Sequence, residues 1–144
     1  MQKKPFILFI LMLIMVCELK AAPENEELTL KVEGIEETKG SLMIAVFTNA
    51  NGFPSDDEKA LLRKTVRVDQ NKMDVKLNIP HGRYAIAIYQ DKNSNGKLDT
   101  NFIGIPREPY GFSNNQRGRF GAPSFDDASF LFNRQNTVHN IQIK

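Results

Sequence analysis

The stretch of residues 91–101 carries oxygen-bearing side chains at the spacing of a loop that binds a hard cation. A calcium ion takes six to eight oxygen ligands, and a short loop that reverses direction at a glycine can aim alternate side chains inward. Gly96 stands at position 6, where such a turn needs a positive φ. The side chains at positions 1, 3, 5 and 9 are Asp91, Asn93, Asn95 and Asp99. The spacing therefore predicts a calcium site.

The remaining oxygens of this site must come from other groups, because only two of the four side chains are anionic. The backbone carbonyl of Lys97 at position 7 is one predicted ligand, and Glu108 is a further carboxylate, with Asp126 and Asp127 as alternatives. Position 12 is Phe102 and not the bidentate Glu of an EF-hand. We expect weak binding, with a dissociation constant of about 10⁻⁴ to 10⁻³ M.

The same stretch has a metal-free interpretation. Asn95 and Gly96 would form a type I′ turn that joins two strands of a hairpin, and the surrounding polar side chains would be hydrated. Glu108 would then pair with Arg107 or Arg83 at the surface, where an ion pair contributes about 0 to 1 kcal/mol. The residues alone leave both interpretations open.

The first 22 residues predict an export signal. Lys3 and Lys4 precede an unbroken apolar run at residues 6–17, which is too short to span a bilayer, and Ala21 and Ala22 offer a cleavage site. A lipoprotein anchored through Cys17 is the alternative, although the residues before Cys17 lack the usual small side chain. We therefore expect a periplasmic or secreted protein with no transmembrane span after cleavage.

The exported part of the chain is electrically neutral and has no cysteine. Residues 1–22 contain three lysines, one glutamate and the single Cys17, so their removal leaves equal numbers of acidic and basic residues. A neutral domain gives no indication of nucleic-acid binding. Disulfides cannot stabilise it, and a bound ion could take their place.

After a polar lead-in at residues 23–27, apolar residues alternate with polar ones along most of the chain, which indicates strands with one buried face. Residues 42–48 are apolar on both faces and predict a central strand, and residues 56–64 predict a short helical turn. We expect residues 28–144 to form one all-β domain, a single antiparallel β-sandwich of about seven strands, Ig-like or transthyretin-like. The predicted strands cover residues 28–32, 42–48, 65–69, 73–79, 83–90, 128–132 and 137–143.

One long irregular loop, residues 101–127, interrupts this pattern. Long loops of this kind are more often functional or packed on themselves than idle. Its aromatic residues could stack on a sugar or a partner, or they could pack the loop against the sheet. The predicted partner-binding residues are Tyr110, Phe112, Asn114 and Asn115, and the wider aromatic patch adds Phe120 and Phe125 with Arg117 and Arg119 as donors.

The residues indicate no catalytic site. His81 and His139 are the only histidines, and neither accompanies a serine or aspartate in the pattern of a nucleophilic triad. The chain has no glycine-rich phosphate loop after a strand and no Cys/His cluster for zinc. We therefore expect a protein that is not an enzyme.

Two segments, residues 82–101 and 104–115, together resemble a bacterial family of uncharacterised exported proteins, DUF2141. The runs Gly40 to Phe47 and Gly52-Phe53-Pro54 fit the same pattern, and Gln90 stands where such sequences often carry histidine. The resemblance covers the whole exported chain. It implies a small exported β-sandwich, similar in outline to transthyretin-like and carboxypeptidase-regulatory-like domains, with no established activity.

Three functions remain open at this point. The first is an exported, non-catalytic module that binds calcium weakly and contacts an envelope or extracellular protein partner or a glycan. The second is a small periplasmic enzyme or ligand carrier that uses the 91–101 loop and residues 104–115 as a pocket, and the third is a metal-free scaffold. A pocket requires a concave site with convergent polar groups, whereas a module has a shallow surface. The sequence leaves the partner and the oligomeric state open.

Overall fold

A computed structural model describes residues 24–144, so the predicted signal peptide and Cys17 lie outside the described residues. No helix within residues 24–144 is long and apolar enough to cross a membrane. Residues 24–144 contain eight strands, two short 3-10 helices at Asp57–Lys59 and Ser113–Asn115, and one short helix, α1, at Phe125–Ala128. The strands are β1 Asn25–Glu33, β2 Ser41–Phe47, β3 Leu62–Arg67, β4 Met73–Pro80, β5 Gly82–Asp91, β6 Tyr110–Phe112, β7 Phe130–Phe132 and β8 Val138–Gln142.

These strands form two packed sheets, which confirms the predicted all-β sandwich. One sheet has the order β4-β1-β8, and the other has the order β3-β2-β5-β6, with β7 paired to the opposite end of β5 from β6. The prediction of a purely antiparallel sandwich was wrong, because β1 and β8 run parallel and pair from Thr29 with Val138 to Glu33 with Gln142. All other strand pairs are antiparallel.

The main core lies between the sheets and follows from the alternation in the sequence. Leu28, Leu30 and Val32 of β1 are fully buried, whereas the residues between them are more exposed. The facing residues of β5 are Tyr84, Ile86 and Ile88. Burying one side chain of this size stabilises the fold by about 1.5 to 3 kcal/mol relative to leaving it exposed. A period of two in the sequence therefore defines the inner faces of both sheets.

A second core covers the outer face of the β2-β5 sheet. Ala45 and Phe47 of β2 are buried there, which confirms that this strand is central and apolar on both faces. Phe53 covers them from the loop after β2, with its ring 5.3 Å from that of Phe47. The other buried members come from β5 and from the predicted long loop, and they are Ala85, Phe112, Phe125 and Ala128.

Two local predictions were wrong in their boundaries. The predicted helical turn at residues 56–64 is limited to one 3-10 turn, and β3 begins at Leu62 instead of residue 65. The strand predicted to start at Ala128 begins at Phe130, because Ser124 caps α1 by accepting a hydrogen bond from the Asp127 N–H at 3.1 Å. The long loop also contains β6, which pairs with residues 87–89 of β5.

Candidate functional site

The 91–101 loop begins at the end of β5 and folds around the carboxylate of Asp91. This side chain is only 3% exposed. One of its oxygens accepts a hydrogen bond from the Asn95 N–H at 3.1 Å, and the other accepts from the Gly96 N–H at 2.8 Å. Gly96 has the predicted positive φ, at 75°, and Ser94 shares this conformation at 61°. A strand end therefore fixes the first predicted ligand, and the chain curls over it.

The type I′ turn of the metal-free interpretation is wrong. Such a turn needs positive φ at both central residues, and only Gly96 of the Asn95-Gly96 pair has it. The chain reverses direction further on, beyond the bridge between Thr100 and Pro106.

The other predicted side chains converge on Asp99. Its two carboxylate oxygens accept hydrogen bonds from the amide nitrogens of Asn93 at 2.6 Å and Asn95 at 2.9 Å. The amide oxygens of these two asparagines accept backbone N–H groups of Asn95 and Lys97, at 3.1 and 2.8 Å. The four predicted side chains and Lys97 thus belong to one hydrogen-bonded cluster.

Glu108 lies under this cluster and fastens both ends of the loop. It is 7% exposed, and its two carboxylate oxygens accept hydrogen bonds from the Lys92 N–H at 2.8 Å and the Asp99 N–H at 3.0 Å. The surface pair with Arg83 does not form, because Arg83 binds Asp126 at 2.8 Å. Each oxygen of Glu108 retains one further lone pair, since a carboxylate offers about four acceptor sites.

Two alternative ligands predicted from the sequence are not brought to the loop. Asp126 pairs with Arg83 near the start of β5, whereas Asp91 ends this strand, about 25 Å away at the usual rise per residue. Asp127 accepts a hydrogen bond from the Ser124 hydroxyl at 2.6 Å in the cap of α1. Within residues 24–144 no group of three or more His, Cys, Asp and Glu side chains is arranged to hold a metal ion. The predicted calcium ligands therefore include amide and backbone carbonyl oxygens in addition to carboxylates.

The loop carboxylates create a negative electrostatic potential around them. Burial raises the pKa of the Tyr89 hydroxyl, and the charges of Asp91, Asp57 and Glu108 raise it further. At the nearby surface Glu37 binds Lys39 at 2.7 Å and Lys92 at 2.8 Å, and these hydrogen bonds lower the pKa of Glu37 to about 2. A cation near Asp91 and Asp99 would be attracted by the uncompensated part of this charge.

The loop at residues 34–40 supports the site, and the sequence reasoning missed this contact. Gln90 is fully buried, and its amide nitrogen donates to the backbone carbonyls of Glu37 and Lys39, both at 2.8 Å. A Cβ atom on Gly40 would lie 2.0 Å from the carbonyl oxygen of Asp91, so only glycine fits here. Two features of the sequence could have indicated this contact, namely Gly40 and the presence of Gln90 in an otherwise apolar strand.

The predicted partner-binding residues are mostly used inside the fold. Phe112 is buried in the second core, and Tyr110 is half-buried with its ring 5.8 Å from that of Phe112. Asn114 donates to the carbonyl of Ser129 at 2.8 Å, and Asn115 accepts the N–H of Gln142 at 2.8 Å. Phe112 is therefore unavailable to a partner, and the two asparagines fasten the segment to neighbouring strands.

The predicted aromatic patch is divided by the fold. Phe125 is buried beside Phe53, with ring centroids 6.0 Å apart, so the alternative in which the aromatics pack against the sheet is confirmed for Phe112 and Phe125. Phe120 is instead fully exposed. Arg117 lies over the ring of Tyr110, 5.4 Å from its centroid.

The two best-formed depressions on the described surface do not include the 91–101 loop. One has a volume of about 50 Å³ and lies beside β6 and the end of β8. The other follows the turn between β3 and β4, and its volume of about 540 Å³ falls within the range of about 300 to 1,000 Å³ that is usual for small-molecule sites, but it is open to solvent.

The fold and the loop together define a class of protein, a small β-sandwich domain with a polar, hydrogen-bonded loop at the end of its central strand. The chain belongs to the family described as "Uncharacterized protein conserved in bacteria (DUF2141)", whose model matches residues 30–140. This match confirms the resemblance seen in the sequence. No curated protein matches the chain, and no solved structure matches it.

Proposed function

We propose that this protein is an exported, non-catalytic β-sandwich module that binds calcium weakly through the 91–101 loop and contacts an envelope or extracellular partner, or a glycan, at the same edge. The observation that supports it best is the convergence of Asp91, Asn93, Asn95 and Asp99 in one cluster. These oxygen-bearing groups match the chemistry that calcium prefers.

The placement of Asp91 and Glu108 supports a preformed site. Both side chains are buried and held by backbone N–H groups, so the loop has little freedom to lose when an ion binds. Asp91 and Asp99 supply two negative charges, which neutralise one divalent cation. The amide oxygens of Asn93 and Asn95 and the carbonyl of Lys97 complete the proposed protein ligands, and Glu108 is the nearest reserve carboxylate.

Two observations support a non-catalytic role. The two best-formed depressions on the described surface do not include the predicted site. Both histidines have structural partners, since His81 lies 3.1 Å from Glu26 and His139 stacks on Phe130 with ring centroids 3.8 Å apart. The function proposed here therefore depends on binding and on the rigidity of the loop.

Thermal denaturation of residues 23–144 tests the calcium site. With excess EDTA replaced by about 2 mM calcium, a dissociation constant near 10⁻⁴ M should stabilise the folded state by about 2 kcal/mol, which raises the Tm by several degrees. Asp99→Asn should abolish this rise, because it removes one of the two anionic ligands while Asp91 continues to order the loop. The rise should survive Asp74→Asn, which changes an exposed aspartate on β4. Equal melting of the wild-type protein in EDTA and calcium would refute the proposal.

A further inference from the structure

The residues that follow the 91–101 loop form an apolar tip, residues 102–105, at the same edge of the sandwich. Phe102, Ile103 and Ile105 are 98%, 65% and 55% exposed. At Gly104 between them, no atom beyond its chain neighbours lies within 4 Å of the position where a Cβ would be, so the space beside this residue is open. Three adjacent apolar side chains with this exposure are unfavourable in water and indicate a surface that something covers.

Three of the four backbone N–H groups of this tip, those of Ile103, Gly104 and Ile105, donate hydrogen bonds to Asn101. The side-chain oxygen of Asn101 accepts the N–H groups of Ile103 at 3.0 Å and Ile105 at 2.9 Å. The Gly104 N–H donates to the Asn101 carbonyl at 3.0 Å, and the Asn101 N–H donates to the Ile105 carbonyl at 2.8 Å. Unpaired backbone groups are costly to remove from water, and this pairing lowers that cost for the N–H groups of Asn101, Ile103, Gly104 and Ile105.

Basic residues precede and follow the tip in the chain. Lys97 and Arg107 are exposed, and neither belongs to an ion pair among residues 24–144. The nearby acidic groups of Asp99 and Glu108 accept hydrogen bonds inside the loop. Exposed cations beside an apolar loop are complementary to anionic lipid headgroups above an acyl region.

The size of the tip also favours a lipid surface over a protein partner. Three side chains of this kind expose on the order of 400 Å², whereas a stable protein interface covers about 800 Å² on each partner. A narrow tip with exposed apolar side chains can enter a fluid bilayer without a matching groove.

We propose that the apolar tip inserts into the interface of an anionic lipid bilayer, with Phe102 as the main anchor and Lys97 and Arg107 at the headgroups. The inference rests on the proposed function, because it names the partner of the edge that contains the 91–101 loop. Calcium binding would strengthen the binding of the tip to the bilayer, because it would reduce the negative charge of Asp91 and Asp99 beside the membrane.

Sedimentation of the exported chain with vesicles tests this inference. The vesicles contain phosphatidylethanolamine with one quarter phosphatidylglycerol, and binding is measured in millimolar calcium and in EDTA. The wild-type chain should sediment with them, and Phe102→Ser should weaken partitioning about tenfold or more, because it removes the largest inserted apolar side chain. Ile105→Ser should weaken it less.

Leu131→Ser is the matched control for Ile105→Ser. Both side chains are 55% exposed, but Leu131 lies on β7, which pairs with the start of β5, far from the tip. This variant should bind like the wild-type chain. The inference would be overturned if the wild-type chain did not sediment with the vesicles, or if Phe102→Ser sedimented to the same extent as the wild-type chain. It would also be overturned if the wild-type chain formed a dimer in the absence of vesicles and Phe102→Ser dissociated that dimer.

The calcium melt separates this result from the proposed function. A calcium-dependent rise in Tm without vesicle binding would overturn only the inference about the tip. Vesicle binding that Phe102→Ser reduces, without any calcium-dependent rise, would support the tip and refute the calcium site.

Discussion

Two consecutive segments of this protein are ordered by opposite means. Residues 91–108 are held by hydrogen bonds from the carboxylates of Asp91 and Glu108 to backbone N–H groups. Residues 109–128 are held mainly by burial, since Phe112, Phe125 and Ala128 pack on the outer face of the β2-β5 sheet, and the hydrogen bonds of Asn114 and Asn115 add to this. The comparison shows that an irregular segment can be ordered either by hydrogen bonds from its backbone to carboxylates or by burial of its side chains in an apolar core.

Hydrogen bonding to carboxylates and burial of aromatic rings respond to different changes. Hydrogen bonds to a charged group contribute about 1.5 to 3 kcal/mol each, and they depend on the protonation and ion binding of the carboxylate. Burial of an aromatic ring depends on shape and volume instead. We therefore expect the first segment to respond to ions and the second to respond to side-chain truncation.

Phe125→Ala should have the largest effect. The ring is buried in the second core, and its removal leaves a cavity that should destabilise the domain by about 3 to 5 kcal/mol. Chemical denaturation monitored by circular dichroism measures this change. Phe120→Ala is the matched control, because Phe120 is 101% exposed, and its effect should stay within about 0.5 kcal/mol. Equal effects of the two variants would show that burial does not order residues 109–128.

Glu108→Gln should have the next largest effect. The amide can replace only one of the two carboxylate acceptors, so either the Lys92 or the Asp99 N–H loses its partner. We expect a loss of about 1 to 3 kcal/mol in the free energy of unfolding. Glu36→Gln, at an exposed position in the 34–40 loop, should be neutral. Hydrogen exchange of the two N–H groups should accelerate in Glu108→Gln, and unchanged exchange would contradict the role assigned to this carboxylate.

Acidification should have the smallest effect, at the contact between His139 of β8 and residues 109–128. Burial lowers the pKa of His139 below its ordinary value of 6.5, and the neutral ring accepts the Asn114 N–H at 3.1 Å. The unfolded chain therefore binds a proton at a higher pH than the folded one, and this contribution to stability is lost as pH falls below about 6.5. Melts at pH 7.5 and 5.5 should show a smaller decrease for His139→Gln than for the wild-type chain. Equal decreases would refute this assignment.

The sequence predicted most of the fold because alternation is a local signal. The buried residues of β1 and β4 follow directly from a period of two, and so do Tyr84, Ile86 and Ile88 on the inner face of β5. The parallel pairing of β1 with β8 was not predictable in this way, since it joins residues far apart in the chain. Strand β6 escaped prediction because three residues are too short to show a period.

The candidate site was predictable in composition but not in its hydrogen bonding. The spacing of Asp91, Asn93, Asn95 and Asp99 indicated one cluster, and these four residues do lie in one. Nothing local showed that Glu108 would bind backbone N–H groups. Phe102 and Phe125 are equivalent by residue type, and only the fold exposes one and buries the other.

The parallel contact between β1 and β8 also sets the order in which the domain can fold. Strand β1 is the centre of its sheet, and one of its two edges stays unpaired until Val138–Gln142 have been synthesised. Contacts of such long sequence separation slow folding, because the loop between them must close first. Strand β8 therefore completes the sheet around β1, and the sandwich closes only when the chain between these strands, which carries both predicted binding segments, has brought them together.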